Sequence, residues 1–215
     1  MRKFVLVLAL YCVFAGAATA QQAVSQFEGR WVWDGTGDYD FNEINFFGDV
    51  MMLSLNDFGE EVIVGFNFSQ ADEHIYIFGT YADEDSWRMP YRLSGDLLSI
   101  DFDDEDEWVS FIKNQQTKRS PLEGFWKVTN IVNPDLFLGE VVSHFLFTQD
   151  IMAFRETAFG YYIGFRVHYD GQNIIALSEE FEEYNFYYRL QGNSLLLITE
   201  YDERIELVRV YSIVP

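Results

Sequence analysis

The 215-residue chain holds a single cysteine, Cys12, only four prolines, and 14 lysines and arginines against 35 acids. Each shortage excludes something. Cys12 lies in the N-terminal leader described below, so the remainder has no disulfide, no thiolate metal site and no cysteine nucleophile. The scarcity of bases gives a formal net charge of −21, which repels phosphate backbones and anionic lipid surfaces and excludes nucleic acid as a partner. The three histidines, His74, His144 and His168, include no pair spaced to share one strand face, so they read as surface or barrel-rim residues and not as metal ligands. Ser143 and His144 pair the residue types of a nucleophile and its base, but strand neighbours point to opposite faces, which keeps them apart. No G-x-S-x-G elbow, phosphate-binding glycine loop or H-E-x-x-H motif occurs. The reading is therefore of no catalytic residue, no metal and no cofactor. Nor does any segment of ten or more residues carry a helical period.

What is abundant is apolar and aromatic: 49% of residues are hydrophobic and 18% aromatic, enough to build a core and to exclude disorder as the main state. At the N-terminus, Arg2 and Lys3 precede an apolar run from Phe4 to Phe14, and Ala18-Thr19-Ala20 supplies the small residues a signal peptidase reads. Residues 1–20 are expected to be a cleaved signal peptide. The apolar run is short for a bilayer span, and no transmembrane segment is expected after cleavage. Cleavage leaves 12 bases against 35 acids, a net charge of −23. An exported protein without disulfides relies on its core alone, which suits a bacterial periplasm or cell surface.

The rest of the chain repeats itself. Ser25-Gln26-Phe27-Glu28-Gly29-Arg30-Trp31 returns as Ser120-Pro121-Leu122-Glu123-Gly124-Phe125-Trp126, 95 residues later. Tyr91-Arg92-Leu93-Ser94-Gly95-Asp96 returns as Tyr188-Arg189-Leu190-Gln191-Gly192-Asn193, and Val64-Gly65-Phe66 as Ile163-Gly164-Phe165. Phe47-Gly48-Asp49-Val50 is matched to Leu138-Gly139-Glu140-Val141. Four anchors in one order mark a duplication, with units at 21–116 and 117–215 joined through the polar run from Asn114 to Ser120.

Within each unit the period is two. Val62, Val64, Phe66 and Phe68 share one face, as do Tyr161, Ile163, Phe165 and Val167. Turn residues at Asn56-Asp57, Ser94-Gly95-Asp96, Asp170-Gly171 and Gln191-Gly192-Asn193 separate seven or eight strands in up-and-down order. A Ser-x-x-Glu box at Ser25/Glu28 and Ser120/Glu123, with Pro121 at the first helical position, predicts one helical turn before each tryptophan strand. The fold class is all-β: two tandem small up-and-down antiparallel β-barrels, whose closure removes the exposed edges of an aromatic-rich sheet. One outer-membrane barrel of about sixteen strands is the competing architecture, disfavoured because several apolar runs are too short to cross a bilayer.

Gly29-x-Trp31 and Gly124-x-Trp126, each after a one-turn helix and before a β meander, give the units a resemblance to lipocalin-like and calycin-like barrels, especially the short bacterial ones. The resemblance covers nearly the whole chain after the leader. It implies a basic residue late in each barrel packed over the tryptophan, with Lys113, Arg204 and Arg209 as candidates. It also implies a small hydrophobic ligand inside one or both barrels, lined by Phe66, Tyr91, Phe165 and Tyr188. The function expected is thus non-catalytic binding. The alternative is a cell-envelope interaction module with solid barrels, whose acidic surface meets a basic protein partner or a cell-wall component. The acidic run from Asp101 to Glu107 lacks the D-x-D-x-D-G calcium loop and reads as a solvated hairpin turn.

Overall fold

The computed structural model describes residues 26–35, 40–57, 59–78, 87–102, 106–115, 120–133, 142–156, 160–177 and 183–210. The expected signal peptide, Ser25, most of the polar join and the Leu138–Val141 anchor lie outside them.

Alternating sequences become strands throughout. The first eight are β1 (Gly29–Trp33), β2 (Phe41–Phe47), β3 (Val50–Asp57), β4 (Glu60–Ala71), β5 (His74–Phe78), β6 (Trp87–Ser94), β7 (Leu97–Asp101) and β8 (Trp108–Asn114). Each pairs antiparallel with the next, and β8 returns to β1, closing a barrel. The second eight are β9 (Gly124–Val132), β10 (Val142–Phe147), β11 (Ile151–Glu156), β12 (Tyr162–Asp170), β13 (Asn173–Leu177), β14 (Glu183–Gln191), β15 (Ser194–Thr199) and β16 (Arg204–Val210), closed in the same way by β16 on β9. Sixteen strands among the described residues thus form two rings of eight, not one large barrel.

The rings repeat each other bond for bond. Phe68 N–H donates to Asp49 O at 2.8 Å, and Val167 N–H to Asp150 O at 2.9 Å. Lys113 N–H donates to Asp96 O at 2.8 Å, and Arg209 N–H to Asn193 O at 2.9 Å. One proposed anchor needs correcting. Gly29 stands opposite Phe46, and Gly124 opposite Phe147, so the first hairpin repeats 101 residues on. Phe47–Val50 therefore correspond to residues 148–151, not to 138–141. The shorter match followed glycine, which the second copy does not keep at this turn.

Inward residues fill each barrel. Phe27, Trp31, Ile44, Phe46, Met51 and Phe111 are in the first core, and Trp126, Phe145, Phe147, Met152, Phe186 and Leu197 in the second, each at most 1% exposed. The helical turn at Gln26–Phe27 and the turn at Pro121–Leu122 do the same job. Their carbonyls, Phe27 O and Leu122 O, each accept the indole N–H of the following tryptophan at 2.7 Å. In the second unit Ser120 Oγ accepts from Leu122 N at 3.2 Å, half of the expected capping box.

A third core lies between the barrels. β5 pairs only with the later part of β4, from Asn67 onward, and β13 only with the later part of β12, from Arg166 onward. The free early parts of β4 and β12 pair with each other, Val64 opposite Ile163, flanked by Gly65 opposite Tyr162 and Ile63 opposite Gly164. Val64 and Ile163 are equivalent positions of the repeat, so the seam is self-complementary in the manner of a two-fold dimer contact. Both glycines are required by close approach. A Cβ on Gly164 would lie 2.5 Å from Ile63 Cγ2, and one on Gly65 2.2 Å from Met52 Sδ and 3.0 Å from Tyr162 Cβ. Outward residues Val50, Met52, Ile63, Leu146, Ala153 and Tyr162 are buried on this seam, which is why β3, β10 and β11 carry unbroken apolar runs in place of alternation.

Candidate functional site

The residues expected to line a ligand cavity divide between the barrels. Phe66 and Tyr91 pack on the first core, where Tyr91 meets Phe27 edge-on at 4.9 Å and its hydroxyl accepts from Gln70 Nε2. Phe165 and Tyr188 pack on the second core; Phe165 stacks on Phe154 at 5.7 Å, and the Tyr188 hydroxyl donates to Gly171 O at 3.1 Å. Two pairs form, one per barrel, and each pair abuts a filled interior.

A large open space lies elsewhere among the described residues. A groove of about 960 Å³ runs between the barrels beside the seam, with Phe165 on its wall. Its floor comes from strands that the seam brings together: Arg30 from β1, Glu61 from β4, Asp150 before β11 and Arg166 from β12, with the buried Glu43 of β2 paired to both arginines. Arg166 Nε donates to both oxygens of Glu61 at 3.2 and 3.0 Å, Nη1 to Asp150 at 3.0 Å, and Nη2 lies 2.9 Å from Glu43 Oε1. Arg30 pairs with Glu43 and reaches Asp150 across the gap at 2.9 Å. Glu43 is 2% exposed and also accepts from Asn45 Nδ2 at 2.8 Å. A buried carboxylate survives because two guanidiniums and an amide replace its water.

Electrostatics follow the geometry. Burial alone would raise the Glu61 pKa, but hydrogen bonds from Arg166 and Ser54 and the charges of Arg166 and Arg30 outweigh it and hold it below the usual carboxylate value. Arg166 is driven further up despite burial by the same carboxylates. Asp49, the repeat equivalent of Asp150, goes the other way: desolvation raises it against its backbone hydrogen bond and the charge of Arg155. Arg30 has a phenylalanine, Phe125, as its own equivalent, and Phe125 packs edge-on to Phe47 at 5.3 Å. One flank of the seam therefore carries the ionic network, whereas its mirror flank has the Phe47–Phe125 contact and a single carboxylate, Asp49, in its place.

No family model, curated protein or solved structure matches the chain. The site has to be read from its own chemistry.

Other sequence expectations resolve here. Ser143 and His144 do meet: a bulge between Val142 and His144 turns them to one side, and His144 Nδ1 lies 3.0 Å from Ser143 Oγ. Burial, with the charges of Arg155 and Lys127, lowers the His144 pKa. Ser143 Oγ also lies 3.5 Å from the Arg155 carbonyl, a contact that clips the bulge to β11. Among the described residues, no group of three or more His, Cys, Asp or Glu is arranged to hold a metal ion. Asp101 is 2% exposed and its carboxylate accepts Asp106 N–H at 2.9 Å, closing the acidic hairpin from within. Residues 103–105 of that run lie outside the described set. Arg92 and Arg189, which recur at matching repeat positions, lie over aromatic rings: Arg92 is 3.7 Å from the Trp108 centroid and Arg189 5.5 Å from that of Tyr187.

The groove residues escaped sequence reading because Arg30, Glu43, Glu61, Asp150 and Arg166 fall in no motif. Only one signal was available, the replacement of Arg30 by Phe125 at otherwise matching repeat positions.

Proposed function

We propose that the chain is an exported, non-catalytic interaction module, in which two solid barrels form a rigid frame and the groove between them receives the partner. One observation carries this reading: both interiors are packed with large side chains at near-zero exposure, while about 960 Å³ lies open between the barrels. Export to a bacterial periplasm or cell surface rests on the leader and on the absence of cysteine beyond it. The acidic surface favours a basic protein partner or an uncharged envelope component over anions.

A lipocalin-like binder of a small hydrophobic ligand is the second reading. It is favoured by Lys113 and Arg209, which lie over Trp31 and Trp126 as the resemblance implies, 5.0 and 4.5 Å from the ring centroids. Arg204, the third candidate, pairs instead with Asp202 at 3.1 Å.

An apolar fluorescent probe separates the two. Titrated into the folded chain with fatty acids and retinoids as competitors, it should show no saturable, salt-resistant binding if the barrels are solid. Saturable binding that raises the melting temperature and is lost in Phe66→Ala, a position away from the groove, would overturn the module reading.

A further inference from the structure

We propose that the inter-barrel groove binds a neutral oligosaccharide, its hydroxyls on the ionic floor and one sugar face against the wall of Phe165, Leu177 and Tyr184. The inference rests on the module reading and names the ligand class of that same groove.

The floor sets the polarity. Two guanidiniums face three carboxylates, and the donors of Arg166 are spent on Glu43, Glu61 and Asp150. An anion would meet arginines already paired with carboxylates, a network one charge negative and a chain of net charge −21. A cation would have to compete with Arg30 and Arg166 for carboxylates that already hold them, leaving the exposed Glu60 as its main gain. An apolar molecule would strip water from charged side chains that are 22–32% exposed, at a cost its own burial does not return.

A hydroxyl escapes all three penalties, because it both donates and accepts. It can take the remaining lone pairs of Glu61 and Asp150 and the amides of Asn42 and Asn56 in place of the water there, with no net charge to desolvate. The opposite wall suits the C–H face of a sugar ring. Leu177 is 49% exposed, and Phe165 and Tyr184 meet edge-on at 6.5 Å to make an apolar corner. Volume selects a chain over a single ring: 960 Å³ stands near the top of the usual small-molecule range of about 300–1,000 Å³.

The test is calorimetric titration of the full chain with cellotriose, maltotriose and N,N′,N″-triacetylchitotriose at low salt and at about 1 M salt. At least one should bind saturably, with affinity unchanged by salt. Asn56→Trp, which fills the groove from an exposed strand position, and Leu177→Glu, which charges its wall, should each weaken binding by about tenfold or more. Unchanged melting temperatures would show that both variants remain folded, and either variant alone suffices if the other does not. Absence of binding by all three sugars, or binding indifferent to both substitutions, overturns the inference. Salt-sensitive binding of oligolysine that falls in Glu60→Gln would overturn it in favour of a basic peptide while leaving the groove as the site. Apolar probe binding inside a barrel with an inert groove would instead overturn the module reading itself.

Discussion

Arg209 stands opposite Trp126 on the seam that closes the second barrel, its guanidinium carbon 4.5 Å from the indole centroid. It also bonds the turn beneath, Nη1 to Glu123 O at 2.9 Å and Nη2 to Pro121 O at 2.8 Å. Lys113 stands opposite Trp31 in the first barrel, 5.0 Å from its ring. The two bases thus share a station and differ in what they hold. Arg209 ties together the last strand, the plug and the entering turn, whereas Lys113 supplies a charge over a ring.

That difference predicts unequal costs. Arg209→Met keeps the aliphatic stem but removes two charge-assisted hydrogen bonds and the ring contact, and should cost about 2–3 kcal/mol. Lys113→Met should cost under about 1 kcal/mol. Urea unfolding of the full chain checks both, and a Lys113 effect equal to or larger than the Arg209 effect contradicts the assignment.

The seam makes a second prediction. Gly164→Ala drives a methyl into Ile63, whose β-branch is fixed by the strand, and overpacking of this kind costs about 1–3 kcal/mol. Ile63→Ala should restore much of that loss. A double-mutant cycle giving coupling below about 0.5 kcal/mol would mean that the barrels do not rely on this contact. The same seam bears on the units taken singly. Residues 21–116 or 117–215 alone would expose the outward cluster around Met52 or Tyr162, and light scattering should find self-associated species that dissociate when the two halves are mixed.

Much of this architecture was legible in the sequence because it depends on local rules. The alternation through Val62–Phe68 marks one inward face, and the S-x-[FL]-E-G-x-W repeat marks where each barrel begins. The seam was illegible for an equally physical reason. An unbroken run such as Val50-Met51-Met52-Leu53 states that both faces are covered but not by what, and the cover comes from strands about 100 residues away. Ser143 and His144 escaped because a bulge cancels alternation, and nothing in the residues around Val142 signals one. The groove charges meet only once the seam has formed.

Acid should loosen the groove before the barrels. The Glu61 pKa is depressed in the folded state, so its contribution is fully present above its unfolded value of about 4.5 and is lost as pH falls through the lower folded value. Asp49 has the opposite sign, since its raised pKa favours the folded state in acid and withdraws that support as pH rises. Melting temperatures of the wild type and Glu61→Gln should therefore converge as pH drops below about 4.5 and stand apart near neutrality, the variant lower. A gap between them that is constant across pH 3–7 would place the Glu61 effect outside its ionisation.

The sharpest prediction concerns Tyr162, whose hydroxyl is buried on the seam with no hydrogen-bond partner among the described residues. Stripping a hydroxyl of water without replacing its bonds costs about 1–3 kcal/mol, so Tyr162→Phe, which keeps the ring and removes only that atom, should stabilise the chain by about 1 kcal/mol or more at neutral pH. The same burial raises the phenol pKa above its ordinary value of 10.0, with Arg155 opposing and Asp49 reinforcing the shift. A group whose folded pKa is raised stabilises fully below its unfolded pKa and progressively less above it. Wild-type stability should thus fall as pH climbs past about 10, and Tyr162→Phe should flatten that fall, although Tyr169, raised for the same reason, will keep part of it. Both effects are read from one pair of urea unfolding series between pH 7 and pH 11. If the phenylalanine variant is less stable than wild type at pH 7, the hydroxyl has a partner in solution, and the dry, glycine-closed contact between the barrels is wrong at its centre.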